Sequence, residues 1–178
     1  MAYDLLRKRI AIINADITQV ECDGVVNAAN SSLSGGGGVD GAIHQAAGEE
    51  LYARCHEIIS SIGRLPEGKA VITPAYSMKT ARFIIHTVGP VWRGGKDGEG
   101  KKLYDCYYNS LALAAEKSLN TVAFPAISTG AYFYPYKEAF AVALKAVTGF
   151  LSTYPIPKRV FLVFYDRASY CHAVEAFK

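Results

Sequence analysis

The sequence predicts an α/β domain, a β-sheet covered by helices on both faces. Three observations predict it. Stretches of strand and helix character alternate along most of the chain. Several strand stretches are continuous apolar runs, as in sheets buried on both sides. The 178 residues hold no internal repeat and no linker long enough to divide them, so residues 1–178 read as one domain with a sizeable core.

Ile10 to Ile13 is a short apolar strand, and Asn14-Ala15-Asp16-Ile17-Thr18 ends it as a loop. Gly24 to Asn27 is a second strand. Val39 to Ala47 is a short helix stopped by Gly48. Glu49 to Ser60 is a second helix, with Leu51, Cys55 and Ile58-Ile59 at helical spacing. Gly63 and Pro66-Glu67-Gly68 make a turn, and the strand Lys69 to Thr73 stops at Pro74. Arg82 to Val88 is rich in β-branched residues and closes at Gly89-Pro90. After the polar loop Gly94 to Gly100, Lys101 to Ser118 is a helix with Leu103, Tyr107, Leu111 and Ala114 on one face. Thr121 to Phe124 is a buried strand that Pro125 ends, and Ser128 to Pro135 is irregular. Lys137 to Leu151 carries the stripe Phe140, Leu144, Val147 and Leu151, a core face and not a ligand site. Arg159 to Tyr165 is the last strand, and Asp166 caps a final helix to Phe177.

In such sheets ligands sit in loops outside the C-terminal ends of the strands. Three loops follow strands in that way: Asn14 to Thr18, Asn27 to Asp40, and Ala126 to Tyr134. The second holds the most informative stretch, VVNAANSSLSGGGGVDGAIHQAAG, from Val25 to Gly48. It reads as strand, polar loop, glycine loop and helix start. Glycines let backbone N–H groups approach an anion, and a helix start adds free donors and a favourable dipole. The plain alternative, a flexible surface loop, suits poorly a glycine run held between an apolar strand and an apolar helix.

Composition narrows the classes. Net charge is +3, from 19 basic and 16 acidic residues, too little to argue for nucleic acid or another polyanion. Arg7-Lys8-Arg9 reads as a solvated lead-in to the first strand. No apolar run approaches a membrane span, and Met1-Ala2-Tyr3-Asp4 lacks the order of a signal peptide. Cys22, Cys55, Cys106 and Cys171 are scattered without a Cys-x-x-Cys pair, so reduced thiols and a cytoplasmic location are expected.

Familiar motifs fail. Gly36-x-Gly38-x-x-Gly41 fits G-x-G-x-x-G, but four consecutive glycines make the match nearly automatic, and the glycines do not follow the strand directly. Val39-Asp40 stands where a Walker A loop needs Lys-Ser/Thr. His44, His56, His86 and His172 are spread without metal-ligand spacing. What remains is two loops of neutral donors, the glycine loop and Ser128-Thr129-Gly130-Ala131-Tyr132, able to clamp a diphosphate. Asp16 can accept from a base amine, or simply cap a turn. Asn30 can bind sugar hydroxyls, or make an Asx-turn. Tyr132 and Tyr165 can stack on a sugar or base, or belong to the core. Asp40 can orient or deprotonate a water, or cap the helix.

The stretches Asn14 to Thr18, Val25 to Gly48, His86-Thr87-Val88-Gly89-Pro90 and Pro125 to Gly130 resemble a macrodomain of the MacroD type, in order and over nearly the whole chain. The resemblance implies a three-layer α/β/α fold with a mixed central sheet that binds ADP-ribose. It implies hydrolysis of ADP-ribose esters, on acidic side chains of ADP-ribosylated proteins or in O-acetyl-ADP-ribose. By position, Asp16 would bind the adenine amine, with Ile17 beside it, and Tyr165 would stack on the ring. Gly36, Gly37, Gly38, Val39 and Gly41 would wrap the diphosphate. Ser128, Thr129, Gly130, Ala131, Tyr132 and Phe133 would close the other side, and Asn27 belongs to the implied contact set. Asn30 would hold the distal ribose and, with Asp40, form the catalytic pair, Asp40 positioning a water with help from the substrate phosphate. No cofactor or metal is required, and a monomer is expected.

The chain departs from the family pattern at Ala15 and Gln45, where glycine and arginine are usual, and at Phe133, where glycine is usual. Phe133 bears on the distal pocket and on substrate preference more than on fold. Two other classes stay open at this point: a reader that binds ADP-ribose without turnover, and a binder of RNA or poly-ADP-ribose.

Overall fold

The computed structural model describes residues 8–178; Met1 to Asp4 and Arg7 lie outside the described residues. Six strands form one sheet: β1 (Ile10–Asn14), β2 (Gly24–Ala28), β3 (Ala70–Pro74), β4 (Phe83–Thr87), β5 (Thr121–Phe124) and β6 (Arg159–Phe164). Their order across the sheet is β1-β6-β5-β2-β4-β3. All neighbours are parallel except β3 and β4, so the sheet is mixed, with β3 antiparallel at one edge. Edge position explains why Pro74 sits inside β3 opposite Phe83, where the sequence suggested a stop: an edge strand has one side whose N–H groups need no partner.

Among the described residues five α-helices cover the sheet: α1 (Gly38–Ala47), α2 (Glu49–Ile62), α3 (Glu99–Glu116), α4 (Tyr136–Thr153) and α5 (Arg167–Phe177). Adjacent strand residues divide between two cores, as a two-sided sheet demands. Val26, Ile85, Val122 and Leu162 pack with Leu103, Tyr107, Phe140, Val147 and Ala173 beneath α3, α4 and α5. Their neighbours Val25, Ile84, Ala123 and Val163 pack with Ile43, Ala47, Leu51 and Cys55 beneath α1 and α2. The fold is the three-layer α/β/α arrangement expected. Among the described residues no helix is long and apolar enough to cross a membrane.

Three local readings change. Arg9 is not a solvated lead-in: its guanidinium donates to the carbonyls of Leu151, Tyr154, Pro155 and Pro157, tying β1 to the end of α4. Ile17–Gln19 is a turn of 3₁₀ helix rather than plain loop. Helix α3 starts at Glu99, two residues before Lys101, because the buried Glu99 carboxylate collects the N–H groups of Arg93, Gly95 and Asp97 at 2.7 to 3.1 Å.

Candidate active site

Strands β1, β2, β5 and β6 run parallel, so the loops that follow them open at one edge of the sheet. They enclose a cleft of two adjoining chambers. The first, about 590 Å³, is lined by Ala15, Asp16 and Ile17 after β1, and by Phe164, Tyr165 and Asp166 at the end of β6. The second, about 410 Å³, is lined by Asn30, the glycine loop, Asp40, Ser128, Ala131 and Tyr132. Gly38, Val39 and Gly130 line both, so the start of α1 and the loop after β5 form the waist between them.

Backbone donors dominate this waist. The N-cap of α1 is Gly37, which makes no side-chain cap bond, so the first-turn N–H groups are left for a ligand. Among the described residues no lysine or arginine lines either chamber. The glycine loop is held by two devices. Leu33 is buried at its base. Asn30 collects the N–H and hydroxyl groups of Ser32 and Ser34 on Oδ1 and donates from Nδ2 to the Gly35 carbonyl at 2.8 Å. The Asx-type role thus belongs to Asn30, while its side chain still lines the polar chamber. Gly41 seals the loop on the helix: a Cβ there would run into the Gly36 carbonyl oxygen.

Asp40 is not the helix cap; it lies two residues into α1 and is 5% exposed. Its Oδ1 accepts from Asn27 Nδ2 at 2.7 Å and sits 3.0 Å from His44 Nδ1, one helical turn on. Oδ2 faces the loop, 3.4 Å from where a Gly36 Cβ would stand, with Asn30 Nδ2 beside the same point at 3.9 Å. Asn27 also donates to His86 Nδ1 at 3.2 Å, which leaves His86 Nε2–H to donate to Thr73 Oγ1 at 3.1 Å. Burial holds the His86 imidazole down at a pKa of about 3, and His44 nearby adds to the effect. For His44, burial also pushes down. Hydrogen bonds to Asp40 outweigh it, with a smaller contribution from Cys55, and carry the pKa up to about 10. His44 Nε2 itself has no hydrogen-bond partner among the described residues.

Asp16 fills one of the roles open to it, the turn cap, and is placed on the cleft wall where the other would be played. Oδ1 accepts from Thr18 N and Oγ1 at 2.9 and 2.8 Å and so caps the 3₁₀ turn. The residue is exposed and lines the first chamber. Tyr165, 82% exposed, stands at the same chamber.

Fourteen of the expected residues line the cleft: Asp16, Ile17, Asn30, Gly36, Gly37, Gly38, Val39, Asp40, Ser128, Thr129, Gly130, Ala131, Tyr132 and Tyr165. Three do not. Asn27 is wholly buried beneath Asp40, because it lies inside β2 and not in the loop after it. Gly41 faces the Gly36 carbonyl. Phe133 is 78% exposed outside the cleft. The turn Gly130–Phe133, closed by Phe133 N to Gly130 O at 2.9 Å and Tyr134 N to Ser128 O at 3.0 Å, holds Phe133 at φ +53. The loop therefore keeps the left-handed backbone that glycine would adopt freely, at a cost to phenylalanine of about 1–2 kcal/mol. Sequence reasoning missed the polar network under Asp40. His44, four residues after Asp40 on a helix, was a readable signal. His86 was not, because only the register of β2 against β4 brings it opposite Asn27.

Fold and cleft together define a three-layer α/β/α domain with a ligand site floored by a glycine-rich helix start. Residues 26–143 match the family model for the Macro domain. The chain is 50% identical over 162 residues to the O-acetyl-ADP-ribose deacetylase of Cronobacter sakazakii, covering 91% of this chain and 89% of that one. It superposes on the Oceanobacillus iheyensis macrodomain with ADP at a TM-score of 0.88 and 44% identity, covering 92% and 87% of the two chains. The Trypanosoma brucei macrodomain in complex with ADP-ribose superposes at 0.89 with 31% identity, covering 100% and 73%. The chain belongs to the Macro domain family.

Proposed function

We propose that the protein is an ADP-ribose-binding hydrolase that cleaves ADP-ribose esters, O-acetyl-ADP-ribose and mono-ADP-ribosyl groups on acidic side chains of proteins. One observation carries the reading: among the described residues Asp40 is the only carboxylate lining the polar chamber, with Oδ1 engaged by Asn27 and His44 and Oδ2 turned toward Gly36 and Asn30. A carboxylate anchored on one oxygen offers the other in a fixed direction to a water.

In this reading adenine occupies the first chamber, its amine on Asp16 and its face on Tyr165. The diphosphate takes the backbone N–H groups at the waist, and the distal ribose lies by Asn30 and Tyr132. A water held between Asp40 and a diphosphate oxygen attacks the acyl carbon of O-acetyl-ADP-ribose. The new C–O bond forms as the bond from acyl carbon to ribose oxygen breaks. The water's proton passes by way of Asp40 to the ribose oxygen, leaving acetic acid and ADP-ribose. The role of Asn27 and His44 is to keep Asp40 from turning. In the same reading the protein acts as a monomer, and its four free cysteines suit a reducing, cytoplasmic compartment.

The test is a paired assay of wild type and Asp40→Ala. It follows acetate release from O-acetyl-ADP-ribose and ADP-ribose release from a glutamate-modified protein, with ADP-ribose affinity by calorimetry. Turnover lost with binding kept is the expected result. Tight binding without wild-type turnover would make the protein a reader of ADP-ribose instead.

A further inference from the structure

We propose that Phe133 is a specificity-determining residue that packs against an apolar side chain next to the ADP-ribosylated acid of a polypeptide substrate. The inference rests on the ester-hydrolase reading of the adjoining chamber. It starts from a contrast among residues of left-handed backbone. Three of these with large apolar side chains are Leu33, Tyr76 and Phe133. Leu33 is buried at 1% exposure, and Tyr76 is partly buried against the core beneath α1 and α2. Both offset their backbone strain by packing. Phe133 is 78% exposed, so its turn holds the strained backbone by hydrogen bonds alone and its ring gains little packing within the chain.

Its position says where a partner would stand. Phe133 follows Tyr132, which lines the chamber that holds Asp40. The Trp92 N–H donates to the Tyr132 carbonyl at 2.9 Å, which joins this loop to the one after β4. Val91, 39% exposed, precedes that bond as Phe133 follows it. The Trp92 and Tyr134 ring centroids lie 4.5 Å apart, and the tilted pair braces the two loops. Phe133 and Val91 thus flank the bond that joins the two loops, two exposed apolar residues that form a rim beside the end of the cleft where the ester would sit. Free O-acetyl-ADP-ribose carries only a methyl group beyond its carbonyl and has nothing to cover this rim. A polypeptide esterified through a glutamate has its neighbouring side chains there.

The experiment compares wild type, Phe133→Gly and Val91→Ser on three substrates. These are O-acetyl-ADP-ribose and two short peptides ADP-ribosylated on one glutamate, with leucine or with serine beside it. Wild type is expected to favour the leucine peptide about tenfold in kcat/KM, the order expected for covering an exposed aromatic ring. Phe133→Gly is expected to abolish that preference, and Val91→Ser to reduce it. Phe133→Gly should leave O-acetyl-ADP-ribose turnover within about twofold and Tm equal or higher, since glycine relieves the strained backbone. No peptide preference in wild type, no peptide hydrolysis beside good turnover of the small ester, or an equal loss on all three substrates would overturn the proposal. Wild type inert on all three would instead refute the hydrolase reading, and affinities of the two modified peptides would then test the Phe133 contact by themselves.

Discussion

Asn27 Nδ2 lies 2.7 Å from Asp40 Oδ1 and 3.2 Å from His86 Nδ1, so one buried amide group joins the cleft carboxylate to a histidine on the neighbouring strand. The carboxylate fixes which way the amide points, because an amide oxygen against Asp40 would be repelled. The amide in turn fixes the His86 tautomer. Asn27→Ala should therefore lower turnover about 10- to 100-fold, the range for losing a supporting hydrogen bond to a reactive group. ADP-ribose affinity should change far less, since Asn27 does not line the cleft. Steady-state kinetics beside calorimetry checks this, and an equal loss in both would place Asn27 in ligand binding instead.

The same network predicts how stability depends on pH. His86 has its pKa lowered from 6.5 to about 3. Its contribution is present above pH 6.5 and is lost as pH falls from there toward 3, where the unfolded chain binds a proton that the folded one refuses. His44 is raised from 6.5 to about 10. Its contribution is present below pH 6.5 and is lost as pH rises through 10. Denaturant midpoints measured from pH 3 to 10 should fall on both sides of a maximum near neutrality. His86→Gln should flatten the acid arm, and His44→Gln the alkaline arm. A wild-type profile unchanged by either variant would show that these two groups do not control it.

Gly41 gives a sharper steric test. A Cβ there meets the Gly36 carbonyl oxygen, a backbone atom that cannot rotate away. Gly41→Ala must push the glycine loop off the start of α1, costing about 1–3 kcal/mol as an overpacked contact. It should also weaken ADP-ribose binding, because Gly36, Gly37 and Gly38 line the polar chamber. Gly37→Ala is the control for stability alone, with no protein atom near its Cβ and an extended backbone, because Gly37 itself lines the polar chamber. Thermal unfolding of the pair should separate steric fit from loss of a glycine as such, and calorimetry of Gly41→Ala against wild type reads the effect on binding.

The fold was legible because its signals are local. Apolar runs such as Val122-Ala123-Phe124, and helices with a clear stripe such as Phe140, Val147 and Leu151, state their elements without help from the rest of the chain. The cleft was legible for a similar reason: loops after parallel strands gather at one edge, so Asp16, Asn30, Gly38 and Tyr132 meet by topology alone. What stayed hidden depends on register and on the path of loops. Asn27 reads as the junction between strand and loop, and so as a ligand contact, until β2 is seen to run through it to Ala28. His86 becomes its partner only across β2 and β4. Arg9 looks like solvated charge until the carbonyls at the end of α4 surround it. Phe133 stood out as an unusual residue, but its outward placement at φ +53 follows from a turn whose closure no sequence spacing displays.

Asp16 allows its turn cap and its proposed base contact to be separated. Its Oδ1 caps the turn at Thr18, and no hydrogen bond reaches Oδ2 among the described residues. Asp16→Ala removes both functions, and should cost about 1 kcal/mol of stability for the lost cap as well as affinity. Asp16→Asn keeps an oxygen for Thr18 but turns the second acceptor into an NH₂ donor, which cannot receive a base amine. Its Tm should match wild type while ADP-ribose affinity falls about tenfold or more, because a donor facing a donor leaves both unpaired. Comparing ADP-ribose with ribose 5-phosphate, which lacks the base, isolates the contact: Asp16→Asn should weaken the first and spare the second. Equal weakening of both would show that the substitution disturbs the waist rather than base recognition.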